Sequence, residues 1–123
     1  MEDKDMKDLD YYKIKNCPVG YAFKAIEGKW KLPILWVLCE NGTLRYNELR
    51  KILGITSMML TSTLKELEQF GLVKRVQYNE IPPRVDYSLT ELGQKLLPVL
   101  NEFGIWGESL MEANKIKNCS TEE

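Results

Sequence analysis

The run from Thr43 to Leu89 constrains this chain more than any other part of it. Leu44–Tyr46 is long enough only for a bridge strand, and Asn47–Leu53 spaces Leu49, Ile52 and Leu53 to turn inward on a short helix. Gly54-Ile55 makes a tight turn, and Thr56 has a hydroxyl suited to accept a backbone N–H at a helix start. From Ser57 to Phe70, Leu60, Leu64 and Leu67 form one amphipathic stripe, stopped by Gly71. Two strand-like runs follow, Leu72–Tyr78 and Arg84–Leu89. They are joined by a stiff tip, Asn79-Glu80-Ile81-Pro82-Pro83, of usual hairpin length. This order predicts a mainly α fold with a small β-hairpin (α+β), a winged helix-turn-helix that offers one helix to a DNA major groove.

The flanks extend that unit. Residues 1–16 are polar and read as a mobile or docking arm. Cys17-Pro18 opens the folded region, with a helix expected over Val19–Ile26 and a cap at Gly28. Trp30–Glu40 carries Trp30, Ile34, Leu35, Leu38 and Cys39 on one buried face, with Pro33 in its first turn, and Asn41-Gly42 ends it. Thr90 is placed to cap the last helix, where Leu92, Leu96, Val99, Phe103, Trp106 and Leu110 recur at spacings of four and three. Pro98 should bend that helix, because its ring opposes the carbonyl of Gln94. The seam either packs on its own domain or meets a second copy. Its length and the bulk of Phe103 and Trp106 favour a dimer interface through Leu96, Val99, Phe103, Trp106 and Leu110. The chain thus divides into 1–16, a domain over 17–112 that includes the C-terminal dimerisation helix, and a polar tail over 113–123.

Composition narrows the function. A length of 123 residues suits one domain. No apolar run is long enough to span a bilayer, and the mixed-charge start is unlike a secretory signal, so a cytoplasmic protein is expected. The three cysteines match no zinc or CxxC spacing, and there is no histidine. The usual general base and nucleophile-activating partner are therefore missing. No enzyme, metal site or cofactor is expected. The net charge of −1 hides a gradient. Between Thr43 and Arg84 seven basic residues face four acidic ones, whereas from Val85 onward three lysines face Asp86 and six glutamates. A basic middle beside an acidic tail suits a protein that meets phosphate with one face.

The Ser57–Phe70 helix is the candidate reader. With its leucines buried, Met58, Ser62, Lys65 and Gln69 fall on the opposite face, with Met59 and Thr61 on the flanks and Thr56 and Ser57 at its start. One basic residue on this face predicts recognition through van der Waals fit and shape more than through arginine–guanine pairs. Lys74, Arg75 and Arg84 on the hairpin stem, and Arg45 before the first motif helix, are candidate phosphate contacts. A solvated polar face and ordinary surface cations are the plainer alternative. Cys17, close to Lys15 and Lys24 at a helix start, reads either as a reactive thiol or as a small buried hydrophobe. Cys39 belongs to a buried stripe, and Cys119 to the polar tail.

Beyond these readings, the chain resembles the HxlR-type regulators, a branch of bacterial winged-helix transcription factors related in fold to MarR. The resemblance is carried by Cys17-Pro18-Val19, Gly28-Lys29-Trp30, Leu44-Arg45-Tyr46-Asn47-Glu48-Leu49, Gly54-Ile55-Thr56 and Gly71-Leu72-Val73-Lys74-Arg75. Its longest stretch is Pro82-Pro83-Arg84-Val85-Asp86-Tyr87-Ser88-Leu89-Thr90-Glu91-Leu92-Gly93. It implies a winged helix-turn-helix with N- and C-terminal dimerisation helices, and a cytoplasmic homodimer, more often a repressor, that binds double-stranded operator DNA. Some members sense electrophiles or oxidants at the position of Cys17. Departures occur at Met58-Met59, where a polar or basic residue is frequent, at Thr63, where arginine is, and at Glu27-Gly28 in place of Gly-Gly. A winged helix serving as a protein-interaction module without DNA contact is the rival reading.

Overall fold

The computed structural model describes residues 17–117. Helix α1 spans Pro18–Ile26, α2 Lys31–Asn41, β1 Leu44–Arg45, α3 Tyr46–Leu53 and α4 Ser57–Gln69. They are followed by β2 Val73–Tyr78, β3 Arg84–Leu89, α5 Glu91–Gln94 and α6 Leu96–Ala113. The strands form an antiparallel sheet in the order β1-β3-β2, with Leu44 opposite Tyr87 and Val73 opposite Leu89. The winged helix-turn-helix expected from the sequence is present. The arm over 1–16 and the distal tail with Cys119 lie outside the described residues.

Local chemistry sets most boundaries. Pro18 occupies the first turn of α1, where its missing N–H has no partner to lose, and Cys17 Sγ accepts the Gly20 N–H at 3.3 Å. Thr56 and Thr90 cap α4 and α5 through their hydroxyls, which accept the N–H of Met59 at 3.2 Å and of Gly93 at 3.0 Å. Gly54 closes α3 in the left-handed region at φ 64°, a conformation open to glycine at little cost.

The core lies where α2, α3 and α4 meet the sheet. Ile34, Leu35 and Leu38 of α2, Leu49 of α3, and Leu60, Leu64 and Leu67 of α4 are almost wholly enclosed. Val73, Tyr87 and Leu89 close the core from the sheet. Lys31 is also buried, with its ammonium 3.0 Å from Glu66 Oε1 and 5.0 Å from the Phe70 ring centre. That pair fastens α4 to α2.

Three details differ from the sequence reading. The last helix is divided at Lys95 into α5 and α6 and not merely bent. Pro98 cannot donate to the Gln94 carbonyl, so the ladder is interrupted there. Leu96 then packs against the core, while Leu92 is exposed. Ile52 is exposed because Leu49 and Leu53, four residues apart, take the inward face of a helix of only eight residues. Of the large apolar side chains on α6, only Leu100 is fully enclosed by its own chain; Val99, Phe103, Ile105, Trp106 and Leu110 are exposed.

Candidate nucleic-acid interface

Helix α4 turns Leu60, Thr63, Leu64 and Leu67 inward and leaves Ser57, Met58, Met59, Thr61, Ser62, Lys65 and Gln69 exposed. Thr63 therefore stands at a buried position and not on the outer face. Two of the exposed hydroxyls on this helix are engaged within the protein. Thr61 Oγ1 lies 2.9 Å from Tyr46 Oη, which also donates to the Ser57 carbonyl at 3.1 Å. Ser62 Oγ donates to the Met59 carbonyl at 3.2 Å.

Beside α4 opens a cleft of about 990 Å³. Its walls are the start of α3 (Arg45, Tyr46, Asn47, Glu48), the flank of α4 (Thr61, Lys65, Glu68) and the hairpin (Arg75, Glu80 to Val85, Tyr87). Of the residues singled out from sequence, Arg45, Thr61, Lys65, Arg75 and Arg84 meet here, accompanied by Glu48, Glu68 and Glu80. Lys74 does not. Successive strand residues point to opposite faces of a sheet, and Lys74 lines a second cavity of about 520 Å³ with Cys39, Ser88 and Leu97.

The cations of the cleft are not equivalent. Arg84 is half-buried, 3.6 Å from Glu80 and 3.4 Å from Asp86, with its guanidinium 4.1 Å from the Tyr78 ring centre. It binds the hairpin tip to its stem. Arg75 Nη2 donates to Gln77 Oε1 at 3.0 Å from an exposed position. Burial raises the Tyr87 phenol above its ordinary value, against the opposing influence of Arg75. Lys65 and Arg45 are exposed, and the backbone N–H of Arg45 donates to Glu48 Oε1 at 2.9 Å.

Sequence reasoning passed over three positioning residues. Tyr46 ties α3 to α4, Lys31 ties α2 to α4, and Arg50 Nε donates to the Ile55 carbonyl at 3.2 Å, bracing the turn between the motif helices. An aromatic at a helix start and a lysine on an apolar stripe were the available signals.

Cys17 is exposed, which removes the buried alternative for this thiol. Cys39 is half-buried, and burial together with the Glu40 charge holds its thiol above the ordinary value. Among the described residues no group of three or more His, Cys, Asp or Glu is placed to hold a metal ion. No described helix is long and apolar enough to cross a membrane.

Comparison with known proteins agrees with this geometry. Residues 25–115 match the family described as HxlR-like helix-turn-helix. An HTH-type transcriptional regulator of Halalkalibacterium halodurans is 47% identical over 95 residues, covering 76% of this chain and 84% of that protein. The redox regulator HypR in its oxidized form superposes with a TM-score of 0.68 at 45% identity, over 76% of this chain and 96% of that one. The reduced form of the transcriptional regulator YodB from B. subtilis gives 0.71 at 35% identity, over 79% and 96%.

Proposed function

The chain belongs to the HxlR-like helix-turn-helix family and is a DNA-binding transcriptional regulator, and from that premise we propose that it acts in the cytoplasm as a homodimeric repressor. Helix α4 enters the major groove of operator DNA with Ser57, Met58, Ser62, Lys65 and Gln69 toward the bases, while Thr56 and Thr61 set its start and flank. Arg45 and Arg75 hold phosphates on either side of the cleft. Arg84 keeps the hairpin in shape, and Lys74, on the far face, adds long-range attraction only. The protein works by binding and not by turnover.

The observation that carries this reading is the convergence of Arg45, Lys65 and Arg75 on one open cleft beside the exposed face of α4. The apolar side chains left exposed on α1 and α6 support a second copy as the occupant of those helices. An exposed Cys17 at a helix start, with HypR named as a redox regulator, supports modification of this thiol by an oxidant or electrophile as the signal that alters DNA binding.

The test is fluorescence-anisotropy titration of the full chain against duplex from its own upstream region and a scrambled duplex, across a salt series. Preference for the native duplex by about 10³-fold or more, weakening as salt rises, is expected. Replacing Ser62 and Lys65 together by alanine should weaken binding to the native duplex while the dimer persists. Diamide should reduce it in the wild type and not in Cys17→Ser. Absence of binding to any duplex at low salt would overturn the reading and leave a protein-interaction module.

A further inference from the structure

Of the hydroxyls in the leading turns of α4, three are engaged within the protein, and Ser57 adds one short exposed hydroxyl at the helix start. Thr56 Oγ1 accepts the Met59 N–H, Thr61 Oγ1 is bound to Tyr46 Oη, and Ser62 Oγ donates to the Met59 carbonyl. No arginine or asparagine occurs on the helix, and its single glutamine, Gln69, is its last residue. The paired hydrogen bonds by which Arg, Asn or Gln single out guanine or adenine are therefore missing from this end. What projects instead is Met58, 80% exposed, with Met59 at 44% beside it.

A methionine held in water at this position leaves apolar surface uncovered, and its flexible thioether adapts to an irregular apolar partner. Among the base edges of the major groove, the apolar group is the C5-methyl of thymine. We propose that Met58 is a specificity-determining residue that recognises thymine through that methyl, with Met59 flanking the contact. The proposal rests on the reading of α4 as the helix that enters the groove, and it names what the leading end of that helix selects. It predicts an operator with thymine, on either strand, where the first turn of α4 meets the bases.

The experiment separates the two readings. The reduced full chain first selects duplexes from a randomised pool. The best-bound duplex is then made twice, once with thymine and once with deoxyuridine at every thymine, which keeps each hydrogen-bonding group and removes only the methyl. Wild-type affinity should fall about fourfold for each methyl that Met58 covers. Met58→Ala should bind the two duplexes alike, and Met58→Leu, which keeps an apolar tip, should restore the difference. Equal wild-type affinity for both duplexes would overturn the methyl contact while leaving α4 as the reader. An undiminished preference in Met58→Ala would overturn the assignment to Met58. A pool that yields no preferred sequence would overturn both readings together.

Discussion

Tyr46 Oη lies 2.9 Å from Thr61 Oγ1, a hydrogen bond that crosses from α3 to α4 and is doubled by the one to the Ser57 carbonyl. The two motif helices are thereby held at a set angle beside the hairpin, whose Tyr87 ring lies 6.4 Å from that of Tyr46. Tyr46→Phe keeps the ring and removes the hydroxyl. Stability in urea should fall by about 1 kcal/mol, and affinity for a selected duplex by up to about tenfold, because α4 loses its tether. Unchanged affinity would mean that the tether has no part in presenting α4.

Gly93 is required for a different reason. A Cβ at this position would run into the Leu72 carbonyl oxygen and lie 3.3 Å from Leu89 Cβ. The approach is close because the Thr90 N–H donates to the Leu72 carbonyl at 3.0 Å and Thr90 Oγ1 donates to the Gly71 carbonyl at 2.6 Å. These bonds pin the start of α5 to the start of β2. Gly93→Ala should therefore cost about 1–3 kcal/mol, which thermal melting would register as a fall of about 4–8 °C per kcal/mol. A melting temperature equal to wild type would show that the junction relaxes freely.

The two described cysteines should differ in reactivity. Cys39 is half-buried with its thiol raised by burial and by Glu40, so it stays protonated and slow near neutral pH. Cys17 is exposed. Timed iodoacetamide labelling at neutral pH, read peptide by peptide in a mass spectrometer, should modify Cys17 first. Faster labelling of Cys39 would contradict the packing around α2.

Tyr87 predicts an alkaline effect. Its phenol is raised by burial, so the folded chain keeps a proton that the unfolded chain loses at the ordinary tyrosine value of about 10. Over that window the unfolded state binds fewer protons, and stability falls as pH rises. Below it the contribution is fully present. Tyr87→Phe should flatten the alkaline limb of a stability–pH curve measured in urea. An unaltered slope would assign the alkaline loss to other groups.

Features that depend on spacing along one segment were legible in the sequence: the caps at Thr56 and Thr90, the leucine stripe of α4, and the strand Arg84–Leu89 to the residue. Features that depend on contact between distant segments were not. The apolar stripe around Lys31 signals burial but not Glu66 as its partner, and nothing near Thr61 indicates that Tyr46 consumes its hydroxyl. Lys74 and Arg75 were grouped as wing cations because they are adjacent, although adjacency in a strand separates their faces. The division at Lys95 was half visible. Pro98 marked the weak point, but whether a helix bends or parts there depends on the core that draws Leu96 inward.

The proposed dimer is the most exposed to disproof. Phe103 and Trp106 have ring centres 6.0 Å apart, and each remains more than half exposed. With Val99, Ile105 and Leu110 they leave α6 far more apolar on its outside than a solvated helix needs to be. Val19, Tyr21 and Phe23 do the same on α1. If a second copy covers these faces, Phe103→Glu with Trp106→Glu should bury charge at the centre of the interface and weaken dimerisation by about thirtyfold or more in sedimentation velocity. Helical circular dichroism should persist, because neither side chain is enclosed by its own chain. DNA affinity should fall in step, since a monomer engages one half-site where a dimer engages two. A wild-type chain that sediments as a monomer at every concentration would end the dimer proposal and leave the apolar face of α6 to another partner.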